Sequence, residues 1–194
     1  MQKTNHFEEL YDRMTKTAAC RFAANDRLKD HHTASLWTIT FFSVGLIIIP
    51  LIDTFGLKTN FSPNYTSFIQ VVLAVVILVI SVLLNMAHFS VRAEKMHQCA
   101  MLVNNLARKV HRHINEESSS DQYDALVREY DDILQRFENH SRIDYLYAKK
   151  HLSSHYKNPW HFPITVRLNY FFQFTPYIIL LGFEGVWLYM LVVK

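Results

Sequence analysis

Glu184 is the residue whose type and position are hardest to explain by packing alone. It is the ninth residue of the 18-residue apolar segment Pro176–Val193, close to its centre. A charged side chain at the centre of a bilayer costs about 2.5–3.5 kcal/mol on insertion scales. The apolar segments of the chain contain no Lys or Arg that could pair with it. The Glu184 side chain is therefore the strongest candidate for a functional group in the sequence.

Two interpretations of Glu184 remain open at the level of the sequence. In the first, the segment sits shallowly in the bilayer, or the carboxyl group is protonated and hydrogen-bonded, for example to Gln70 or Asn85. In the second, Glu184 lines a water-filled path or a seam between subunits. Gly182 and Gly185 favour the second interpretation, because small residues allow a neighbouring helix to approach closely.

Histidines form the next group of candidates, since the chain has 11 of them. His151 and His155 have the i, i+4 spacing that places two imidazoles on one helix face, and His140 and His161 are near in sequence. No HExxH motif, no CxxC motif and no carboxylate at a matching offset accompanies them. Solvated or helix-capping histidines are therefore expected, with no metal or other cofactor.

The remaining groupings that could carry chemistry are weaker. His111 and His113 point to different sides of a helix, and Asn85, His88 and Glu94 have a spacing that does not converge. The four glycines form no phosphate-binding loop, dinucleotide-binding motif or nucleophile elbow. The sequence thus favours a binding or pore-forming role over catalysis. A small enzyme acting on lipid is the more distant alternative.

The two longest apolar runs, residues 34–57 and 66–88, predict a transmembrane hairpin, because a hydrocarbon core about 30 Å thick needs roughly 20 apolar helical residues. Residues 1–33 carry six Lys or Arg, residues 91–171 carry 12, and residues 58–64 carry one, Lys58. Since Lys and Arg are retained on the cytoplasmic side, the N-terminus and residues 91–171 are predicted inside. The loop 58–64 is predicted outside.

The other segments complete an all-α membrane protein. Residues 6–30 have the spacing of an amphipathic helix that runs into the first span. Heptad-like patterns, which extend from Phe89 to Ile114 and from Tyr123 to Phe137, predict antiparallel cytoplasmic helices over 89–115 and 121–155. The first of these is expected to continue the second span without a break, and the N-terminal helix is the expected third member of the stalk. Residues 158–194 combine an aromatic segment typical of the membrane interface with a third span, which places Lys194 outside.

The charged residues and the cysteines argue against two other classes of protein. Residues 91–171 interleave 12 basic with 10 acidic residues, a pattern of a solvated helical face rather than of a surface that binds nucleic acid. Cys20 and Cys99 both fall on the predicted cytoplasmic side, where thiols stay reduced. Both are expected to be buried structural residues.

Two stretches resemble a known family. The segment Ala18–Leu28 (AACRFAANDRL), which leads into the first span, resembles the entry segment of the SLATT domains, the SMODS and SLOG-associating two-transmembrane effectors. Glu138–Tyr145 (ENHSRIDY) is similar to a second stretch of that family. The resemblance covers about residues 6–155 and implies a SLATT-like domain over 1–157. The third span lies beyond the two-span core.

The resemblance implies an effector of a prokaryotic anti-phage or conflict system. Such domains are expected to form homo-oligomers in the inner membrane and to perforate it on a nucleotide or nucleic-acid signal. The family's companions include oligonucleotide cyclases, SLOG sensors and, for the fifth subfamily that this chain resembles most, reverse transcriptases. Because no sensor domain is fused here, the signal is expected in trans. The alternative is a non-conducting membrane anchor or assembly platform for a soluble partner.

Four polar or aromatic residues near the end of the heptad pattern are candidates for recognising the signal or the partner. They are Asn139, His140, Asp144 and Tyr145. Polar residues that end a heptad helix are positioned to bind rather than to pack. The alternative is that Asn139 and His140 simply cap the helix and that Asp144 pairs with Lys149 or Arg142.

Overall fold

Long amphipathic and apolar patterns form α-helices throughout the described chain. The computed structural model describes residues 6–56, 60–114, 120–152 and 159–192, without the side chains of Asp53 and Val192. The helices of these residues are α1 (His6–Thr54), α2 (Pro63–Met86), α3 (Phe89–Arg112), α4 (Ser120–Gln135), α5 (Arg142–His151), α6 (Phe162–Phe172) and α7 (Thr175–Val192). The protein is an all-α membrane protein, as the sequence predicts.

The chain divides into two compact units, to both of which α1 contributes. We call Met1–Lys29 with Ser90–Tyr170 the heptad unit, and Asp30–Phe89 with Phe171–Lys194 the membrane unit. Two stretches are long and apolar enough to cross a membrane by themselves, one within α1 and one over Pro63–Arg112. A third candidate is the pair α6 and α7, which is bent by 56°.

The heptad unit packs α1, α3 and α4 around a common core, as the heptad pattern predicts. Its buried side chains include Met14 of α1, Val103 and Leu106 of α3, and Tyr130 of α4. Two ion pairs show the direction of α4 against α3. Lys109 pairs with Glu129 of α4 at 2.9 Å, and Arg92 pairs with Glu138, which follows α4, at 2.9 Å. Lys109 is near the end of α3 but pairs with the earlier of the two acidic residues, Glu129. The two helices are therefore antiparallel.

The membrane unit packs α1, α2 and α7 side by side. Its buried core consists of Phe42, Ile49, Ile52, Leu73 and Leu191. At one end His31 of α1 lies between the rings of Phe89 and Phe174, with centroid distances of 5.3 and 4.5 Å.

At the other end of the membrane unit, Asn60 donates hydrogen bonds to the carbonyl groups of Met190 and Leu191, the first through its side chain and the second through its backbone N–H. Helix α7 therefore extends along the same length as the apolar part of α1, with its two ends held near opposite ends of the unit. Lys58 and Lys194 lie outside the described residues.

Two predicted continuous helices are interrupted. The second span continues into the stalk as one stretch over Pro63–Arg112, but its helical hydrogen bonding is interrupted between α2 and α3, where His88 has a φ of 47°. The predicted helix over 121–155 is divided into α4 and α5. Its interruption is explained by Ser141, which begins α5 with a capping box to Asp144, a local arrangement that competes with continued helix. By contrast, α1 continues through Pro50 to Thr54.

Candidate functional site

Glu184 lies in a groove between α1 and α7 of the membrane unit. Its side chain is directed at Gly45 of α1, and an added Cβ at position 45 would overlap the Glu184 carboxylate oxygen. Only glycine therefore leaves room for the carboxyl group where it now lies. The group that Gly45 accommodates is thus a carboxyl group of α7.

The groove around Glu184 is almost entirely apolar. It has a volume of about 510 Å³ and, besides Gly45 and Glu184, is lined by Phe41, Val44 and Ile48 of α1 and by Leu181, Gly185 and Leu188 of α7. Glu184 itself is only 6% exposed. Among the residues that the structure describes, none forms a hydrogen bond or ion pair with its carboxyl group. A polar group at low exposure without a partner costs free energy, so an ionisable group without a described partner is unusual in this apolar groove.

The structure also locates the other residues that the sequence assigns to this site. Gln70, a suggested partner of Glu184, donates instead to the Leu46 carbonyl at 3.4 Å. Asn85 is exposed near the end of α2. An added Cβ at Gly182 or Gly185 would meet no atom within 4 Å. The two glycines of α7 therefore face open space, and Gly185 lines the groove whereas Gly182 does not.

The second candidate site is a buried polar cluster in the heptad unit, which joins the two sequence motifs. Arg27 of α1 forms a two-pronged ion pair with Asp144 of α5, with distances of 2.7 and 3.1 Å from Nε and Nη2 to the carboxylate oxygens. Arg21 donates to the Glu138 carbonyl and, at 3.3 Å, to the Asn139 side chain. Residues 117 positions apart in the chain are thus brought into direct contact.

Asp144 is almost completely buried, with 1% exposure, and has two roles in this cluster. Besides the pair with Arg27, its Oδ2 accepts hydrogen bonds from the Ser141 backbone N–H and hydroxyl group, each at 2.8 Å. The sequence missed Arg27 as the partner of Asp144 and suggested Lys149 or Arg142. Arg27 lies in the first of the two family-like stretches and Asp144 lies in the second. Their membership of these two stretches was the signal in the sequence that could have suggested the pair.

The cluster retains polar atoms that are buried without a hydrogen-bond partner in the described part of the chain, namely Arg21 Nε, Asn25 Oδ1 and His140 Nδ1. Burial lowers the pKa of His140, and the nearby Arg21 guanidinium acts in the same direction. The imidazole is therefore held neutral. Tyr145, on the outer side of α5, is 39% exposed. Of the four candidate recognition residues, Asn139 and Tyr145 are exposed, whereas His140 is half-buried and Asp144 is buried.

The two cysteines are buried thiols beside this cluster and in the heptad core. Burial raises the pKa of Cys20 to about 11, and the nearby Asp144 carboxylate adds to the shift. Burial also raises the pKa of Cys99. Both thiols are therefore protonated at neutral pH, which makes them poor nucleophiles and poor metal ligands.

The histidine groupings do not converge in the described residues. No three His, Cys, Asp or Glu side chains surround a metal-sized space there, and His155 lies outside those residues. His111 and His113 pack against the aromatic rings of Tyr11 and Phe7. Glu94 accepts a hydrogen bond from Gln98.

Comparison with known proteins gives one family. Residues 3–191 match the sequence model of the SMODS and SLOG-associating 2TM effector domain family 5. The match includes the C-terminal apolar helix, which the resemblance of the two motifs had left outside. No curated protein and no solved structure matches the chain. Because the match spans nearly the whole sequence, the protein belongs to family 5 of the SMODS and SLOG-associating 2TM effector domains.

Proposed function

We propose that this membrane effector oligomerises in the bacterial inner membrane and permeabilises it when a partner protein supplies a nucleotide or nucleic-acid signal. The observation that carries the proposal is the buried Glu184 carboxyl group, which lacks a described partner in an apolar groove at mid-helix. Ionisable residues inside membranes face bundle interiors or water-filled cavities and mark permeation paths. A role in a water-filled path or at a subunit seam gives this costly group a function.

The heptad unit is the proposed receiver of the signal, without catalysis. Its partner is a reverse transcriptase or a synthase of a nucleotide signal that acts in trans. Support comes from the unsatisfied atoms of Arg21, Asn25 and His140, which a polar ligand would satisfy, and from the exposed Tyr145, which follows His140 by five residues. Binding in only one of two packed states would shift the protein towards the conducting state.

The permeation proposal predicts that Glu184→Gln and Glu184→Leu insert normally but leak less. Losing a carboxyl group at mid-membrane eases insertion. The Gln variant removes the ionisable charge from the proposed permeation path, and the Leu variant removes the polarity as well. The measurement is uptake of a membrane-impermeant DNA dye by bacteria that express each variant together with the active partner protein, at increasing levels of the variant, since mass action favours assembly. We expect dye uptake to fall in the order wild type, Gln, Leu.

Phe183→Leu is the matched control for these variants, because Phe183 is the neighbouring residue and is 61% exposed. It should leak as the wild type does. Absence of leakage from the wild type at every expression level, with the active partner present, would support the non-conducting anchor instead. Leakage of Glu184→Leu equal to that of the wild type would leave a pore in which Glu184 has no role.

The proposed orientation predicts an external location for reporter domains fused at Asn60 and at the C-terminus, and an internal one for a fusion in the 91–171 segment. Because Asn60 contacts the end of α7, the fusions at Asn60 and at the C-terminus are expected on the same side of the membrane. Reporter enzymes that are active on only one side of the inner membrane show on which side each fusion point lies. An internal C-terminus would remove α7 as a third span and place Glu184 outside the bilayer centre.

A further inference from the structure

We infer that the groove between α1 and α7 is a binding site for a compact lipophilic amine that enters from the bilayer. The hydrocarbon part of the ligand would occupy the groove, and its ammonium group would pair with the Glu184 carboxylate. This site goes beyond the proposed permeation, since it requires only the resting membrane unit. The inference rests on the chemistry of the groove lining, its depth and its size.

The lining restricts the chemistry of the ligand to one polar group on an apolar body. The side chains around Glu184, such as Phe41, Ile48 and Leu188, are hydrocarbon. The Glu184 carboxyl group is the single polar side chain among them. A carboxylate only accepts hydrogen bonds, so its complement is a donor, and a cation gives the stronger, charge-assisted contact.

The source of that cation is a small molecule rather than a second copy of the chain. The predicted spans, 34–57, 66–88 and 176–193, contain no Lys or Arg, so a neighbouring copy has no basic side chain to offer at this depth. Glu184 also lies nine residues after the start of α7 at Thr175, which is about 13 Å along a helix. The ammonium group of a phospholipid headgroup is held at the membrane surface and does not reach it.

The size of the groove fits a compact ligand. A volume of about 510 Å³ falls within the range of about 300–1,000 Å³ that is typical of small-molecule sites. Its walls include exposed parts of Phe41, Val44 and Ile48, whose side chains are 38–52% exposed. A ligand that covers them removes apolar surface from contact with lipid chains without requiring the helices to separate.

The test uses the full-length protein in lipid nanodiscs and the cage amine 1-aminoadamantane, with the neutral isostere 1-adamantanol as the control ligand. The thermal unfolding midpoint, followed by tryptophan fluorescence, reports binding, because a ligand that binds only the folded state raises the midpoint. We expect the amine to raise the midpoint of the wild type in a saturable manner. The alcohol should leave it unchanged.

Three variants locate the site. Glu184→Gln removes the charge and should weaken amine binding at least tenfold. Gly185→Leu should abolish binding by filling the groove, since an added Cβ there meets no atom within 4 Å and the side chain can be accommodated. Gly182→Leu is the matched control, because Gly182 has equal space but does not line the groove. It should bind the amine as the wild type does.

Each opposite outcome overturns the inference. A wild type without a shift has no such site. Equal shifts with the amine and the alcohol, or equal shifts in the wild type and Glu184→Gln, would show partitioning into the bilayer rather than pairing with the carboxylate. Because no leakage is measured, failure of this site and failure of the proposed permeation are distinguishable.

Discussion

Replacing Leu106 by Asp is expected to prevent the protein from accumulating in a folded form. Leu106 is 1% exposed in the core formed by α1, α3 and α4. Truncating a buried leucine already costs about 2–5 kcal/mol, and the new carboxylate would also be buried without a partner. The sum approaches the whole free energy of unfolding of a typical domain, about 5–15 kcal/mol.

Leu102→Asp is the matched control, because it makes the same change on the same helix at a residue that is 43% exposed. Leu134→Asp should have an intermediate effect, since Leu134 is only partly buried against the core. The amount of protein in the membrane fraction and its migration on native gels measure both accumulation and assembly. Equal behaviour of the Leu106 and Leu102 variants would contradict the packing of α3 against α1 and α4.

The second large effect is expected for Asp144→Ala, which should release α5 from α1. The substitution leaves Arg27, whose side chain is 14% exposed, without its carboxylate. Breaking a buried ion pair by removing one partner costs about 3–5 kcal/mol. It also removes the capping box of α5, and loss of a helix cap costs about 1 kcal/mol. Asp144→Asn should be less harmful, because an amide oxygen can still accept from Ser141.

Cys20 reports this release directly. It is packed with Ala148 of α5, and burial together with Asp144 raises its pKa to about 11. When α5 detaches, the thiol becomes accessible and its pKa falls towards 9, so maleimide labelling at pH 8 should rise at least tenfold. Cys99, which is fully buried in the heptad core, should stay protected. Peptide mass spectrometry distinguishes the two sites.

Asp132→Ala is the control for this experiment, because Asp132 is an exposed acidic residue of α4. Its labelling pattern should equal that of the wild type. If Cys20 stays protected in Asp144→Ala as well, the ion pair with Arg27 does not hold α5 in place.

The sequence predicts features that depend on repeating patterns. Apolar length indicates the spans within α1 and α2, and heptad spacing indicates that Val103 and Leu106 face a common core. Each such position is supported by many others of the same type, so one exception does not change the result. The family is recognisable for a related reason, since two motifs and the order of the segments all resemble those of the same family.

Features that depend on one contact between distant residues were not predictable. Arg27 and Asp144 each have nearer partners of opposite charge in the sequence, and only the packing of α5 on α1 selects this pair. The same holds for Gly45 and Glu184, because each is visible as an unusual residue within a span but nothing in the sequence pairs them. The break between α4 and α5 was not predicted, because the predicted helix extends to residue 155, beyond the last heptad position at Phe137 and past the capping box of Ser141.

The ion pair between Arg27 and Asp144 has a consequence for biosynthesis. The ribosome makes Arg21 and Arg27 before either of the first two spans, whereas Glu138 and Asp144 follow both of them. Until the later residues emerge, the two arginines have no partners that would let them be buried. The heptad unit can therefore be completed only after the translocon has received the apolar parts of α1 and α2. A chain that stalls earlier would expose its N-terminal arginines and apolar face to proteolytic quality control.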